Sequence, residues 1–150
     1  EKAIGLATKV HEGQVDKAGR PYIEHPLFVM NRLRTEEEKM TGILHDVVED
    51  SSVTFEELAN LGCPPKVIDA LRLVTHPEDF LGSEEAYIAM IQAILASGNQ
   101  TAINVKFADL THNSDLTRIP NPVAKDIARC EKYKKSLDLL RPLVSEYLIK

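Results

Sequence analysis

The sequence predicts an all-α protein. Helix start and stop signals recur along the chain, and the apolar residues between them repeat at helical spacing. Two capping boxes, Thr35–Glu38 and Thr54–Glu57, combine a threonine that accepts a backbone N–H with a glutamate that bonds back to it. The one segment with strand-like alternation has no evident partner strand. These observations favour a helical bundle over a fold that contains a sheet.

The helices in the first half are predicted from their ends. The box at Thr35 begins a helix whose apolar positions continue to Val48. The box at Thr54 begins a shorter helix, which Gly62 ends because glycine is favoured just after a helix. The pair Pro64–Pro65 begins the next helix, since proline is tolerated in a first turn. Its apolar positions are Val67, Ile68, Leu71 and Val74.

The next two helices are predicted on different grounds. Ser83, followed by two glutamates, begins a helix that ends before Gly98. The stretch from Thr101 to His112 fits both a strand, with alternating apolar residues, and a helix. Because no partner strand is evident, we predict a helix there.

The last long helix is predicted to begin at Asn121, with Pro122 in its first helical position. It continues through Leu140 until Pro142 kinks or restarts it. No repeat, low-complexity segment or long linker divides the chain. We therefore predict that residues 1–150 form a single domain, which is long enough to bury a sizeable core.

The composition excludes several classes of function. The chain has 18 basic and 23 acidic residues and a net charge of −5, which disfavours nucleic acids and membrane surfaces as partners. No apolar run approaches the roughly 18–20 residues of a membrane-spanning helix. The two cysteines favour a reducing, cytoplasmic location. The chain begins at Glu1 without an initiator methionine, so we expect residues to precede it. The oligomeric state stays open.

Four polar residues stand out near the end of the helix that Thr35 begins. In a continuous helix His45 and Glu49 share one face, and Asp46 and Asp50 share the adjacent face. Apolar residues surround them, and buried carboxylates are costly unless a cation or a metal pairs with them. The alternative is an ordinary solvated helix end.

Two further segments favour a metal site. His25 follows a turn that contains glycine, and Asp109 lies in an otherwise apolar stretch. With His45 and Asp46, they offer two imidazoles and two carboxylates from three segments, and such a set can hold one divalent ion. Mixed nitrogen and oxygen ligands suit Mn²⁺, Fe²⁺ or Mg²⁺ better than a closed structural zinc site.

The order of these residues resembles that of the HD phosphohydrolase superfamily. Four longer motifs are similar to those of the hydrolase domain of RelA/SpoT proteins, and the resemblance spans about Ala3 to Leu140. The motifs are HEGQ at 11–14, GRPYIEHP at 19–26, HDVVED at 45–50 and KFADLTHN at 106–113.

The resemblance implies a helical HD-domain bundle with a bound Mn²⁺ ion, or with Fe²⁺ or Mg²⁺ in its place. It implies removal of the 3′-pyrophosphate from guanosine tetra- or pentaphosphate, a small nucleotide. Glu49 and Asp50 correspond to the catalytic pair of the family. The implied metal ligands are His25, His45, Asp46 and Asp109. The candidate substrate-binding residues are Lys17, Arg20, Tyr22 and Asn113.

The sequence departs from the family on the substrate side. Asp16 stands where the family has an arginine that packs against the base, and Arg20 stands where it has a glutamate. Two arginines and a threonine of the family are also missing between Leu110 and Leu116. Three functions therefore remain open: an alarmone hydrolase, an HD phosphohydrolase with another nucleotide or phosphoester as substrate, and a nucleotide-binding regulatory module with little turnover.

Some residues near these motifs allow two interpretations. His112 lies one helical turn after Asp109, where it either supports the metal site through a hydrogen bond or simply packs. Lys106, Arg118 and Arg129 are either phosphate partners or charges on helix surfaces.

Overall fold

The computed structural model describes residues 2–76 and 83–149, which form α-helices joined by short connections. Within these ranges the one extended pairing is an isolated bridge between Val15 and Pro21, so the all-α prediction is confirmed. No helix there combines the length and apolarity needed to cross a membrane. The helices are α1 (Lys2–Val10), α2 (Glu24–Asn31), α3 (Glu36–Leu44), α4 (Val47–Asp50), α5 (Phe55–Asn60), α6 (Pro65–Val74), α7 (Glu84–Ser97), α8 (Gln100–Asn113) and α9 (Ala124–Leu140). Short 3₁₀ turns lie at Leu116–Arg118, Arg141–Leu143 and Glu146–Leu148.

Most predicted helix ends are confirmed. The Thr35 hydroxyl accepts a hydrogen bond from the Glu38 N–H at 3.1 Å, and the Glu38 carboxylate accepts one from the Thr35 N–H at 3.0 Å. The hydroxyls of Thr54 and Ser83 accept hydrogen bonds from the N–H groups of Glu57 and Ala86 and so cap α5 and α7. At Thr54 only this half of the predicted capping box is formed. Gly98 ends α7 with φ +66°, a conformation that costs glycine little.

The prediction for the start of α9 is wrong. The helix begins at Ala124 rather than at Pro122. Val123 is extended, and its N–H donates a hydrogen bond to the Asp126 carboxylate at 3.0 Å. The acidic side chain in the first turn therefore fixes the start of the helix. At the other end, α9 gives way to the 3₁₀ turn that contains Pro142, as predicted.

α8 is the most buried helix in the described part of the chain. All nine residues from Ala102 to Leu110 are buried, including the charged Lys106 and Asp109. A helix that is enclosed on every side has no single apolar stripe, which explains why strand and helix patterns fitted this segment equally well. The helix prediction is confirmed.

The predicted continuous helix from Thr35 to Val48 is wrong. α3 ends at Leu44, a turn formed by His45 and Asp46 follows, and the short α4 begins at Val47. The backbone of Asp46 stays in the right-handed helical region but departs from ideal helix angles, with φ −103° and ψ −3°. The His45 ring bonds back to the Gly42 carbonyl at 2.6 Å, which tightens the chain at this point.

The sequence analysis did not predict α1 and α2. α2 contains Pro26 in its first turn and has a weak apolar periodicity, although Val29 is fully buried. One apolar cluster joins α1, α3, α5 and α6, and a second joins the end of α2 with α6, α7, α8 and α9. α2, α3 and α8 pack against one another where the two clusters meet.

Candidate active site

Three buried side chains from separate parts of the chain meet at one point. His25 lies in α2, His45 follows α3, and Asp109 lies in α8. The Nε2 atoms of the two histidines are 3.3 Å apart. Asp109 Oδ1 lies 2.8 Å from His25 Nε2 and 3.4 Å from His45 Nε2. The folded chain thus gathers two ring nitrogens and a carboxylate oxygen.

Asp46 adds a second carboxylate to this cluster. Its Oδ2 atom lies 3.1 Å from His45 Nε2 and 3.9 Å from His25 Nε2, and it accepts a hydrogen bond from the Tyr22 hydroxyl. Ligand atoms that share an ion at ~2.1 Å lie about 3 Å from one another, close to these separations. The donors of His25, His45 and Asp109 therefore fit a divalent cation, and Asp46 lies beside them as a fourth candidate ligand.

The charges of the cluster also favour a cation. Burial opposes ionisation of Asp46 and Asp109, but neighbouring cations outweigh it and hold the pKa of both carboxyls below the usual range. Burial likewise opposes the charged form of His45, yet the two carboxylates raise its pKa well above the ordinary value. The carboxylates thus stabilise positive charge between them, and a metal ion would supply it.

Asp109 is held by two further residues of α8. Lys106 Nζ donates to Asp109 Oδ2 at 3.0 Å, and the Asn113 side-chain amide donates to Oδ1, also at 3.0 Å. Burial opposes the charge on Lys106, but Asp109 outweighs it and raises the lysine pKa. Lys106 therefore neither lies on the surface nor reaches for phosphate. It fixes one oxygen of Asp109 and leaves the other facing the histidines.

Glu49 and Asp50 lie in α4, next to the cluster. The Glu49 carboxylate accepts a hydrogen bond from the backbone N–H of His76, and burial raises the pKa of Glu49 to about 7. Asp50 accepts a hydrogen bond from the Gln14 amide at 3.2 Å, and burial, followed by the charge of Asp46, raises its pKa. The Glu49 carboxyl can thus exchange a proton near neutral pH, and the pKa of Asp50 shifts in the same direction.

A cavity of about 430 Å³ adjoins the cluster, and His25 is part of its wall. Three predicted substrate-binding residues, Lys17, Tyr22 and Asn113, also line it. The fourth, Arg20, is not part of the wall. Its guanidinium is exposed and forms an ion pair with Glu24 at 2.7 Å.

Asp16 stabilises the loop at the edge of this cavity. Its Oδ1 atom accepts hydrogen bonds from the backbone N–H groups of Ala18 and Arg20, at 2.9 and 3.0 Å. Its Oδ2 atom lies 3.4 Å from the guanidinium of Arg118, which also donates to the His112 carbonyl at 2.9 Å. Arg118 lines the cavity, so a guanidinium reaches it from the connection after α8.

Comparisons with known proteins identify relatives of this chain. A protein from Myxococcus xanthus named GTP pyrophosphokinase is 36% identical over 97% of the chain. The bifunctional (p)ppGpp synthase/hydrolase SpoT of Escherichia coli is 31% identical over 75% of it. The chain spans only 20% and 17% of the lengths of these two proteins. No protein-family model matches the sequence.

A solved structure of a related protein has the same fold. The metazoan ortholog of SpoT, described as hydrolysing ppGpp, superposes with a TM-score of 0.81 and 25% sequence identity. The superposition covers 99% of this chain and 88% of the metazoan chain, so the likeness extends over the whole fold. The chain belongs to the RelA/SpoT hydrolase-domain family.

Within this RelA/SpoT domain, the roles of two neighbours of the site were not predicted from the sequence. Gln14 links His11 to Asp50, since its amide oxygen lies 2.9 Å from His11 Nδ1 and its amide nitrogen donates to Asp50. The sequence allows two interpretations of Lys106, a phosphate partner or a surface charge, and neither describes its contact with Asp109. The signal that would have identified its role is its spacing, three residues before Asp109 on one helix face.

Proposed function

We propose that this domain is a metal-dependent phosphohydrolase that removes the 3′-pyrophosphate from guanosine tetra- or pentaphosphate. The observation that carries the proposal is the cluster of the buried His25, His45 and Asp109 with the partly buried Asp46, beside a cavity of about 430 Å³. Its relatives support the substrate, because several are named as 3′-pyrophosphohydrolases of this nucleotide.

The cluster residues would hold the metal and the rest of the site would direct the reaction. A bound divalent cation lowers the pKa of a water molecule and polarises a phosphoryl oxygen. We favour Mn²⁺, with Fe²⁺ or Mg²⁺ as alternatives, because the donors are two nitrogens and two oxygens. The oxygen of the water joins the phosphorus attached to the 3′ oxygen, the bond to that oxygen breaks, and pyrophosphate leaves.

Glu49 is the better candidate for the proton acceptor. A general base works best when its pKa lies near the working pH, and the pKa of Glu49 is raised to about 7. Asp50 is held by Gln14, which favours a role in orienting the water or the base. Lys17, Tyr22 and Asn113 line the cavity, where they would bind the phosphates and the nucleoside.

The direct test is release of pyrophosphate from guanosine tetraphosphate by the metal-loaded protein. The protein would be stripped with a chelator and reloaded with Mn²⁺, Mg²⁺ or Fe²⁺ in parallel. Asp46→Asn should abolish turnover, because it removes one ligand charge from the buried cluster. Asp69→Asn, which changes an exposed aspartate on α6, should leave the rate within twofold.

The contacts of Asp16 with Arg118 favour a second class of substrate, namely other nucleotides or phosphate esters. The carboxylate at the cavity edge adds negative charge, and it is engaged by the loop and by Arg118. A panel of other nucleotides and phosphate esters therefore belongs in the same assay. Turnover of a panel member without turnover of guanosine tetraphosphate would keep the metal-dependent chemistry and replace the substrate. Nucleotide binding without turnover of any member would identify a regulatory module.

A further inference from the structure

His112 lies between the candidate metal ligand His25 and the aromatic ring of Phe28. Its Nδ1 atom is 2.7 Å from Nδ1 of His25, and the two rings are inclined by only 9°. On its other side, the ring of Phe28 stacks at a centroid distance of 4.0 Å. The contact with His25 sets the direction of the His112 Nδ1 atom, whereas Phe28 only packs on the face of the ring.

A separation of 2.7 Å between two ring nitrogens means that they share one proton. Two N–H groups cannot face each other at this distance, and two lone pairs would repel without a hydrogen between them. With one ring proton on each histidine, the pair has two arrangements. Either His25 Nδ1–H donates to His112, or His112 Nδ1–H donates to His25.

Metal binding selects one of these arrangements. The Nε2 atom of His25 faces Asp109 and His45, so this nitrogen must be unprotonated to ligate a cation. The proton of the neutral ring then lies on Nδ1, where His112 Nδ1 is the acceptor. His45 uses the Gly42 carbonyl for the same purpose, at 2.6 Å from its own Nδ1.

The Gly42 carbonyl and the His112 ring differ in one respect as hydrogen-bond partners. A carbonyl can only accept, whereas an imidazole can also donate. In the absence of metal, His25 can therefore carry its proton on Nε2 and donate it to Asp109 Oδ1 at 2.8 Å. His112 then donates its own Nδ1–H to Nδ1 of His25. Each ring carries one proton in either arrangement, and the two rings change tautomer together.

We propose that His112 is a positioning residue that sets the tautomer of His25, presenting the unprotonated Nε2 atom to the metal and accepting the proton on Nδ1. The proposal depends on the metal centre proposed above and is independent of the substrate. It can therefore be tested by metal binding alone.

Two variants of His112 separate hydrogen bonding from packing. His112→Asn places an amide oxygen near the position of Nδ1 and keeps an acceptor, but loses the ring. His112→Phe keeps a ring next to Phe28 and cannot accept. Mn²⁺ affinity, measured by electron paramagnetic resonance on folded protein, should fall about 10- to 100-fold in His112→Phe and stay within about threefold in His112→Asn. Phe28→Leu, which removes the stacking partner alone, is the matched control and should also stay within threefold.

Nitrogen-15 NMR of the histidine rings supplies a readout that a packing role would not move. In the wild-type protein loaded with diamagnetic Zn²⁺, His25 should carry its proton on Nδ1. In the metal-free protein it should carry the proton on Nε2. Equal Mn²⁺ affinity in His112→Phe and wild type would overturn the proposal, as would equal losses in both His112 variants. A wild-type protein that binds no Mn²⁺ would refute the metal centre as well, whereas failure to cleave guanosine tetraphosphate would leave this result unaffected.

Discussion

Glu49 and Asp50 are adjacent in the sequence but have different surroundings. Glu49 bonds to the backbone of His76 at the end of α6, and Asp50 bonds to Gln14 in the connection after α1. The sequence identified this pair by its resemblance to a known motif and could not assign separate roles. The roles depend on which segments pack against α4, and a local sequence pattern carries no information about that.

The Glu49→Gln variant should be more stable and less active than the wild type. The pKa of Glu49 rises from 4.5 to about 7 on folding, so the unfolded chain loses this proton first as pH increases. Stability is therefore lost between about pH 4.5 and 7, and the charged side chain costs roughly 1 kcal/mol above that range, because solvent screens the charge of this exposed residue. Glutamine avoids this cost. In urea unfolding of metal-free protein, the variant should gain that amount at pH 8 and nothing at pH 4.

Turnover of the same variant should fall at least ~100-fold, because the proton acceptor is missing. Glu56→Gln changes an exposed glutamate on α5 and is expected to alter neither quantity. A Glu49→Gln variant with normal turnover would assign the proton transfer to Asp50. Equal stability of variant and wild type at pH 8 would mean that Glu49 is solvated in the folded protein.

At the scale of the elements, the contact between α2 and α3 places His25 against His45. Gly42 allows this approach, because a Cβ atom at position 42 would lie 2.9 Å from Leu33 Cδ1 and 3.2 Å from Val29 Cγ1. The sequence predicted α3 from its cap but gave no reason to note Gly42, since only the neighbouring helix makes a side chain costly there. The turn at His45 and Asp46 escaped prediction because both residues also fit a continuous helix.

Gly42→Ala should loosen this contact. We expect a loss of about 1–2 kcal/mol, since overpacking outweighs the better helix propensity of alanine. Mn²⁺ affinity should fall several-fold because the two histidines move apart. Gly5→Ala in α1 is the matched control: no atom lies within 4 Å of its Cβ position, so stability should rise by up to about 1 kcal/mol. Thermal unfolding and Mn²⁺ titration measure both effects, and a Gly42→Ala protein as stable as Gly5→Ala would contradict the close contact.

At the scale of the whole molecule, the all-α class and most helices followed from caps and periodicity. Those signals are local, which is why they could be read from one sequence. The residues that connect distant segments could not be predicted in the same way. Asp16 looked like the loss of a substrate contact, but in the fold it supports its own loop and Arg118, which is 102 positions away in the sequence. Replacing Asp16 with arginine would therefore disturb the loop as well as change the cavity.

A buried network around Glu38 joins α3, α8 and the C-terminal 3₁₀ turns. The Glu38 carboxylate accepts hydrogen bonds from the side chains of Asn104 and Tyr147 and from the Thr35 N–H. Asn104 also accepts a hydrogen bond from the backbone of Ser145 at 3.0 Å. Burial opposes the charge on Glu38, but these donors outweigh it and lower the pKa of the carboxyl. The network lies toward the starts of α3 and α8, whereas the metal-ligand candidates lie toward their ends.

Glu38→Gln should therefore destabilise the protein in a pH-dependent way. Hydrogen bonds to the carboxylate stabilise the fold by roughly 1.5–3 kcal/mol at pH 7, and glutamine loses the charge on which they depend. Because the pKa of Glu38 is lower in the folded state, this contribution is present above about pH 4.5 and is lost as pH falls through the folded-state value. Urea unfolding should give a large difference between variant and wild type at pH 7 and a smaller one at pH 3.5. Glu37→Gln, the exposed neighbour, should give no difference at either pH. If Glu38→Gln loses the same stability at both pH values, the loss comes from the shape of the side chain alone. That result would contradict a charged Glu38 at the junction of the three segments.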